Sequence, residues 1–224
     1  MPQLIFTEVQ TESVSQSSKE KKAGIARNEF VEFLVLKGGN LAGLELCSGY
    51  DGETKKFVFP PLDVQTGEVL LVHMRNRGEG CINETGDELD LAFAPYSHNE
   101  VRDLWTDIDT TTLGNKTDVL ILRNTADNKL IDAFMYRAGN IEAWTKTMID
   151  YSQLIDESDI YESGDIENAF ISDGITATKT MVRSGALELQ QKVLSGEEGE
   201  EIEFPVKSGT DTWGIPAEPS PGWL

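Results

Sequence analysis

The chain has 224 residues, 39% of them hydrophobic, enough to bury a substantial core within one elaborated domain, residues 1–224. A net charge of −20 sets it against phosphate backbones, which bind by releasing counterions to lysine and arginine, and so excludes nucleic acid as a partner. No run of 18 or more apolar residues is present to cross a membrane, and the opening MPQLIFTEV lacks the basic and apolar regions of a signal peptide.

Residues 3–12 read as a first strand. The polar SVSQSSKEKKAGIA that follows carries a small basic cluster, Lys19, Lys21, Lys22 and Arg27, which reads as a solvated loop tip. In NEFVEFLVLKGGNLAGLEL, residues 28–46, two apolar strands joined at Lys37-Gly38-Gly39-Asn40 predict a hairpin covered on both faces, around which the rest is built. Glu29 and Glu32 interrupt that run, and a carboxylate there must find hydrogen-bond donors, because burying it unpaired is costly. Asp51-Gly52 favours a tight turn into a short strand at 55–59, which Pro60-Pro61 ends. EVLLVHM, residues 68–74, is again continuous core strand, whereas 75–115 is a long excursion rich in glycine, asparagine and acidic residues, a length of loop that tends to carry function.

Regular structure returns at 118–123 and 129–136, a second hairpin with an Asn- and Asp-rich turn. Asn140 can cap a helix in which Ile141, Trp144, Met148, Tyr151 and Ile155 recur every three or four residues. Residues 140–174 hold nine acidic residues against the single Lys146, so the outer face there is strongly acidic. ITATKTMVRS (175–184), LELQQKVLS (187–195) and IEFPV (202–206) read as short strands, and the proline-rich end as an extended tail anchored by Trp213. Many strand runs and one helical pattern predict an all-β sandwich whose core is 3–136 and 175–224, with insertions at 75–115 and 140–174.

Taken in order, LIFTEV, NEFVEFLVL, NLAGLEL, FVFP then EVLLV, NKTDVLILRNTADNKLIDAFMY, the Arg183 strand and a closing W-x-x-P…SPG resemble the lamin tail domain family in its bacterial surface and secreted branch. The resemblance covers most of the chain. Departures are the two insertions and Leu44, where the family commonly has an aromatic; coiled-coil heptads and a prenylation box are absent. The resemblance implies an immunoglobulin-like antiparallel β-sandwich with an inserted helix and a long loop, and an accessory module exported from the cytoplasm, its leader or a lipid anchor lying outside this sequence.

The signatures G-x-S-x-G, H-E-x-x-H, G-x-x-x-x-G-K-[ST] and G-x-G-x-x-G do not occur, and His73 and His98 form no catalytic set with neighbours in sequence. Cys47 and Cys81 admit either a disulfide or two separate buried thiols, and their spacing fits no zinc motif. Asn83, Glu84, Asp87, Glu88 and Asp90 crowd one loop with oxygen donors of the kind calcium takes, although their spacing is not an EF-hand's and a solvated acidic loop is the preferred reading. Calcium aside, no cofactor is implied. The function expected is a non-catalytic extracellular or cell-surface module that binds a protein or glycan, with Tyr96, Trp105 and Trp144 in the insertions as anchors. The alternative is a secreted hydrolase or calcium-dependent glycan-binding domain that uses carboxylates of the insertions.

Overall fold

The computed structural model describes residues 1–11, 29–50, 55–89, 91, 97–98, 100–108, 110, 112–196, 202–216, 220, 222 and 224. The basic cluster, the Asp51-Gly52 turn, Asp90 and Tyr96 lie outside the described residues. Strands run as β1 (Gln3–Gln10), β2 (Phe30–Lys37), β3 (Gly39–Asn40), β4 (Leu44–Ser48), β5 (Phe57–Val58), β6 (Asp63–Val64), β7 (Val69–His73) and β8 (Arg102–Trp105). They continue as β9 (Asp118–Asn124), β10 (Leu130–Arg137), β11 (Phe170–Ile171), β12 (Met181–Arg183) and β13 (Trp213–Gly214), with helices α1 (Lys146–Asp156) and α2 (Ala186–Ser195).

The fold is an all-β sandwich. One sheet has the order β13-β12-β1-β2-β7-β8 and the other β11-β10-β9-β4-β5. Pairing is antiparallel except at β7–β8 and β10–β11. Alternate residues of each strand meet between the sheets, where Phe6, Phe33, Leu46, Leu70, Leu120, Phe134 and Tyr136 form the main core. Trp213 stacks on Phe134 at 3.6 Å and donates its indole N–H to Ser208 Oγ, which fixes the start of the tail as expected of an anchor.

The outer faces are also covered. α1 lays Met148, Tyr151 and Ile155 on Cys47, Val119, Ile121 and Met135 of the five-stranded sheet. α2 turns Leu189 and Val193 toward Ile5, Leu34, Leu36 and Val69 of the six-stranded sheet. Double coverage explains why β2, β7 and β9 are apolar almost throughout.

Four sequence expectations need correction. Residues 28–46 are not a hairpin: β2 pairs with β1 and β7, whereas β4 pairs with β9 and β5 in the opposite sheet. The intervening glycines turn a corner between sheets, with Gly39 at φ 151° and Gly43 at φ 85°, backbone conformations that suit only glycine. LELQQKVLS is helix rather than strand, because Leu189 and Val193, four residues apart, meet the same sheet face. Residues 202–206 form no strand, although Ile202 and Val206 pack on the same cluster. α1 begins after Thr145, whose side chain accepts from the Met148 amide, and not after Asn140.

Candidate functional site

The outer face of the six-stranded sheet changes character along its strands. Toward α2 it is apolar; beyond that, one row of register partners runs Glu8 on β1, Glu32 on β2, Leu71 on β7 and Asp103 on β8. All four residues are buried. A register shift beside Thr7 lets its hydroxyl donate to Glu32 Oε1 at 2.6 Å. Ser220 and Gly222 lie against the row: the Ser220 amide and hydroxyl donate to Glu8 at 3.0 and 3.1 Å, and the Gly222 amide donates to Glu32 Oε2 at 2.5 Å. Burial, then the neighbouring charge of Glu8, pushes Glu32 up to about 8, and burial raises Glu8 as well.

At the far end His73 stacks on Trp105 with ring centroids 3.8 Å apart, and its Nε2 lies 2.6 Å from Asp103 Oδ1. Ser97 donates to Asp103 Oδ2 at 2.9 Å. Serine, aspartate and histidine are thus linked with the carboxylate in the middle. The hydroxyl donates to Asp103 and not to the imidazole, so the nucleophile-to-base contact of a serine hydrolase is absent from this arrangement.

Beside the row a groove of about 360 Å³ opens between the start of β7, His98 with Glu100 and Val101, α2, and Gly222 with Leu224. Val69, Val101, Leu187 and Leu224 supply apolar surface; Glu68, Glu100 and His98 supply polar surface. Gln190 donates to the Gly67 carbonyl at 2.8 Å, which holds α2 at the groove's edge.

Among the described residues Trp105, Asn83 and Glu84 come together at β8, whereas Trp144 lies apart, against the α1 cluster. Trp105 is buried in β8 against His73, so it cannot serve as a partner anchor as expected; the excursion at 75–115 places a sheet strand where a free loop was predicted. Trp144 is half-buried, packs on the α1 cluster and donates weakly to the Gly164 carbonyl at 3.4 Å. Asn83 and Glu84, weighed as calcium ligands beside the preferred reading of a solvated loop, cap the open edge of β8. Asn83 Oδ1 accepts from the Trp105 amide at 2.7 Å, and Glu84 accepts from the Asp103 and Leu91 amides at 2.8 and 2.7 Å. Asp87 is exposed, and no group of three or more His, Cys, Asp or Glu able to hold a metal forms among the described residues. Cys47 and Cys81 are separate buried thiols, and burial pushes Cys47 up to about 11.

Sequence reasoning marked Glu32 as a carboxylate in need of donors but missed Glu8 beside it and the tail residues that supply them. Glu8 was within reach, since it lies in the predicted strand that pairs with β2, whereas the tail donors leave no mark in the sequence.

A family model described as "protein second domain", TP_1001_2nd, matches residues 2–215. The chain belongs to this family. Within TP_1001_2nd the matched region takes in both sheets and both helices and stops short of the 220–224 segment. An uncharacterized protein of Treponema pallidum (strain Nichols) is 27% identical over 114 residues, which are 50% of this chain and 28% of that relative. The chain therefore spans well under two thirds of the relative's length. No solved structure matches. Among the described residues no helix is long and apolar enough to cross a membrane.

Proposed function

We propose that the chain is a non-catalytic interaction module, acting outside the cytoplasm, that takes an extended polypeptide segment of a cell-surface protein into the groove beside Glu8 and Glu32. The observation that carries this is the groove itself, a trough of mixed character in which Val69, Val101, Leu187 and Leu224 lie among Glu68, His98, Glu100 and Gln190. Glu100 at its rim and the overall charge of −20 favour a segment bearing lysine or arginine, Glu68 being already paired with Arg102 Nε at 2.6 Å. A family described as a second domain supports a module reading, and the resemblance to the lamin tail domain's bacterial branch supports export. Hydrolysis has less support, because the hydroxyl of Ser97 is directed at Asp103 and not at His73.

The test is titration calorimetry at physiological salt against a panel of lysine-rich peptides and cell-surface glycans, run beside chromogenic ester, phosphate and glycoside substrates. Leu187, exposed on α2 at the groove, can be changed without touching the core. Peptide binding that weakens at least tenfold (about 1.4 kcal/mol) in Leu187→Arg, with no turnover, is the expected result. Binding of glycans alone, turnover of any substrate, or peptide binding indifferent to Leu187→Arg would defeat the proposal. Protease treatment of intact cells producing the full-length protein tests export: the protein should be digested, and protection would place it inside.

A further inference from the structure

We propose that the groove reads one basic side chain of its ligand, whose aliphatic stem lies on Val69, Val101 and Leu187 and whose cationic head meets Glu100, while Glu68, although it lines the same groove, takes no part in recognition. The inference rests on the groove being the binding site and names what is read there.

The two carboxylates that line the groove are not equivalent. Glu68 is engaged inside the fold: its Oε1 lies 2.6 Å from Arg102 Nε, and its Oε2 accepts from the Gln65 amide at 2.8 Å. Both side chains of that pair are largely buried, and Arg102 also donates through Nη1 to the carbonyls of Glu84 and Gly86 at 2.6 and 2.7 Å. A ligand cation that displaced Arg102 from Glu68 would leave a buried guanidinium without its counter-charge, a cost that a new ion pair open to water does not offset. Glu100, by contrast, is exposed, and among the described residues no lysine or arginine pairs with it.

The surroundings of Glu100 set the shape of the side chain that suits it. Val101, the next residue, is buried with Val69 in the apolar cluster beneath α2, so the carboxylate stands one residue away from an apolar floor. Leu187 adds an exposed apolar wall from α2. A lysine or arginine meets both at once, because its methylene stem covers apolar surface while its charged head stays in water at the rim. Nearby polar groups are committed in a way that favours donors from the ligand. Gln190 directs its amide nitrogen to the Gly67 carbonyl at 2.8 Å, and His98 Nδ1 accepts from the Glu100 amide at 3.2 Å. Lysine and arginine heads are donors only, which matches a rim led by a carboxylate.

Calorimetry on the full chain tests this, using the lysine-rich peptide of the panel that binds most tightly and versions of it acetylated at one lysine at a time. Acetylation removes the charge and keeps the stem. One position should stand out: acetylation there should weaken binding to the native chain by about threefold or more, the size of an ion pair at the surface. Glu100→Gln should bring that position down to the level of the others, and Glu68→Gln should leave it standing out. Persistence of the effect in Glu100→Gln, its loss in a folded Glu68→Gln, or equal effects at every lysine would overturn the proposal; if Glu68→Gln does not fold, the Glu100 comparison decides alone. Peptide binding that depends on Leu187 but shows no such position would defeat this inference and leave groove binding standing, whereas no peptide binding at all would defeat both.

Discussion

Buried carboxylates organise this molecule residue by residue, and each ties one part of the chain to another. Glu29 meets Arg75 Nε at 2.5 Å and the Leu113 amide at 3.2 Å, joining β2 to the chain just before β9. Asp118 accepts from Ser48, Tyr50, Gly114 and Val119, all within 2.9 Å, and burial lifts it to about 7. Asp132 links the two sheets, accepting from the Phe6 amide at 2.7 Å and from Arg183 at 3.0 Å. With both side chains of the Asp132–Arg183 pair buried, Arg183→Met should cost about 3 to 5 kcal/mol, since it strands a charge inside. Burial, opposed by Arg183, holds Asp132 at about 6, so the loss in urea unfolding should be smaller at pH 5, where the carboxyl is protonated, than at pH 7.5. An equal loss at both pH values would show that packing and not charge governs the site.

Elements were legible in the sequence where burial on both faces left long apolar runs: β1, β2, β7, β9 and β10 all lie inside the predicted segments or within one residue of them. What escaped was decided by partners far away in the chain. The run from β2 to β4 looks like a hairpin locally, and only the pairing of β4 with β9 pulls it into the other sheet. LELQQKVLS carries a helical and an alternating pattern together, and the sheet face beneath it selects the helix. For the site, Glu32 was legible as a residue needing donors, whereas the donors themselves, backbone amides near the end of the chain, have no sequence signature at all. Gly67 holds α2 through its carbonyl, which accepts from Gln190 at 2.8 Å, and at φ 85° it is a position where any side chain is strained. Gly67→Ala should therefore loosen amide protection across Ala186–Ser195 while the β9–β10 hairpin stays protected; unchanged protection of α2 would mean that the helix is held by Leu189 and Val193 alone.

For the whole molecule, three buried carboxyls with raised values, Asp132 at about 6, Asp118 at about 7 and Glu32 at about 8, set the pH profile of stability. The folded chain binds more protons than the unfolded one between the ordinary carboxylate range and about 8, so stability should decline across that window as pH rises. Glu45, held below its ordinary value despite burial by hydrogen bonds to Lys56 and Arg123, acts the other way, its contribution being lost in stronger acid. The melting temperature should thus peak in mild acid and drop by several degrees toward pH 9, with self-repulsion at −20 adding to the drop. A profile flat from pH 5 to 9 would mean that these carboxyls titrate as they do in water. The order β13-β12-β1-β2 bears on how the chain is made. β1 leaves the ribosome well before one of its two neighbours, β12, which begins only at Met181. Until β12 follows, the backbone of Gln3–Gln10 presents half its hydrogen-bonding groups to whatever strand arrives first, including that of a sister chain on the same message. Products terminated between β2 and β12 should on this account be the aggregating species, and the arrival of β12 is what closes that edge.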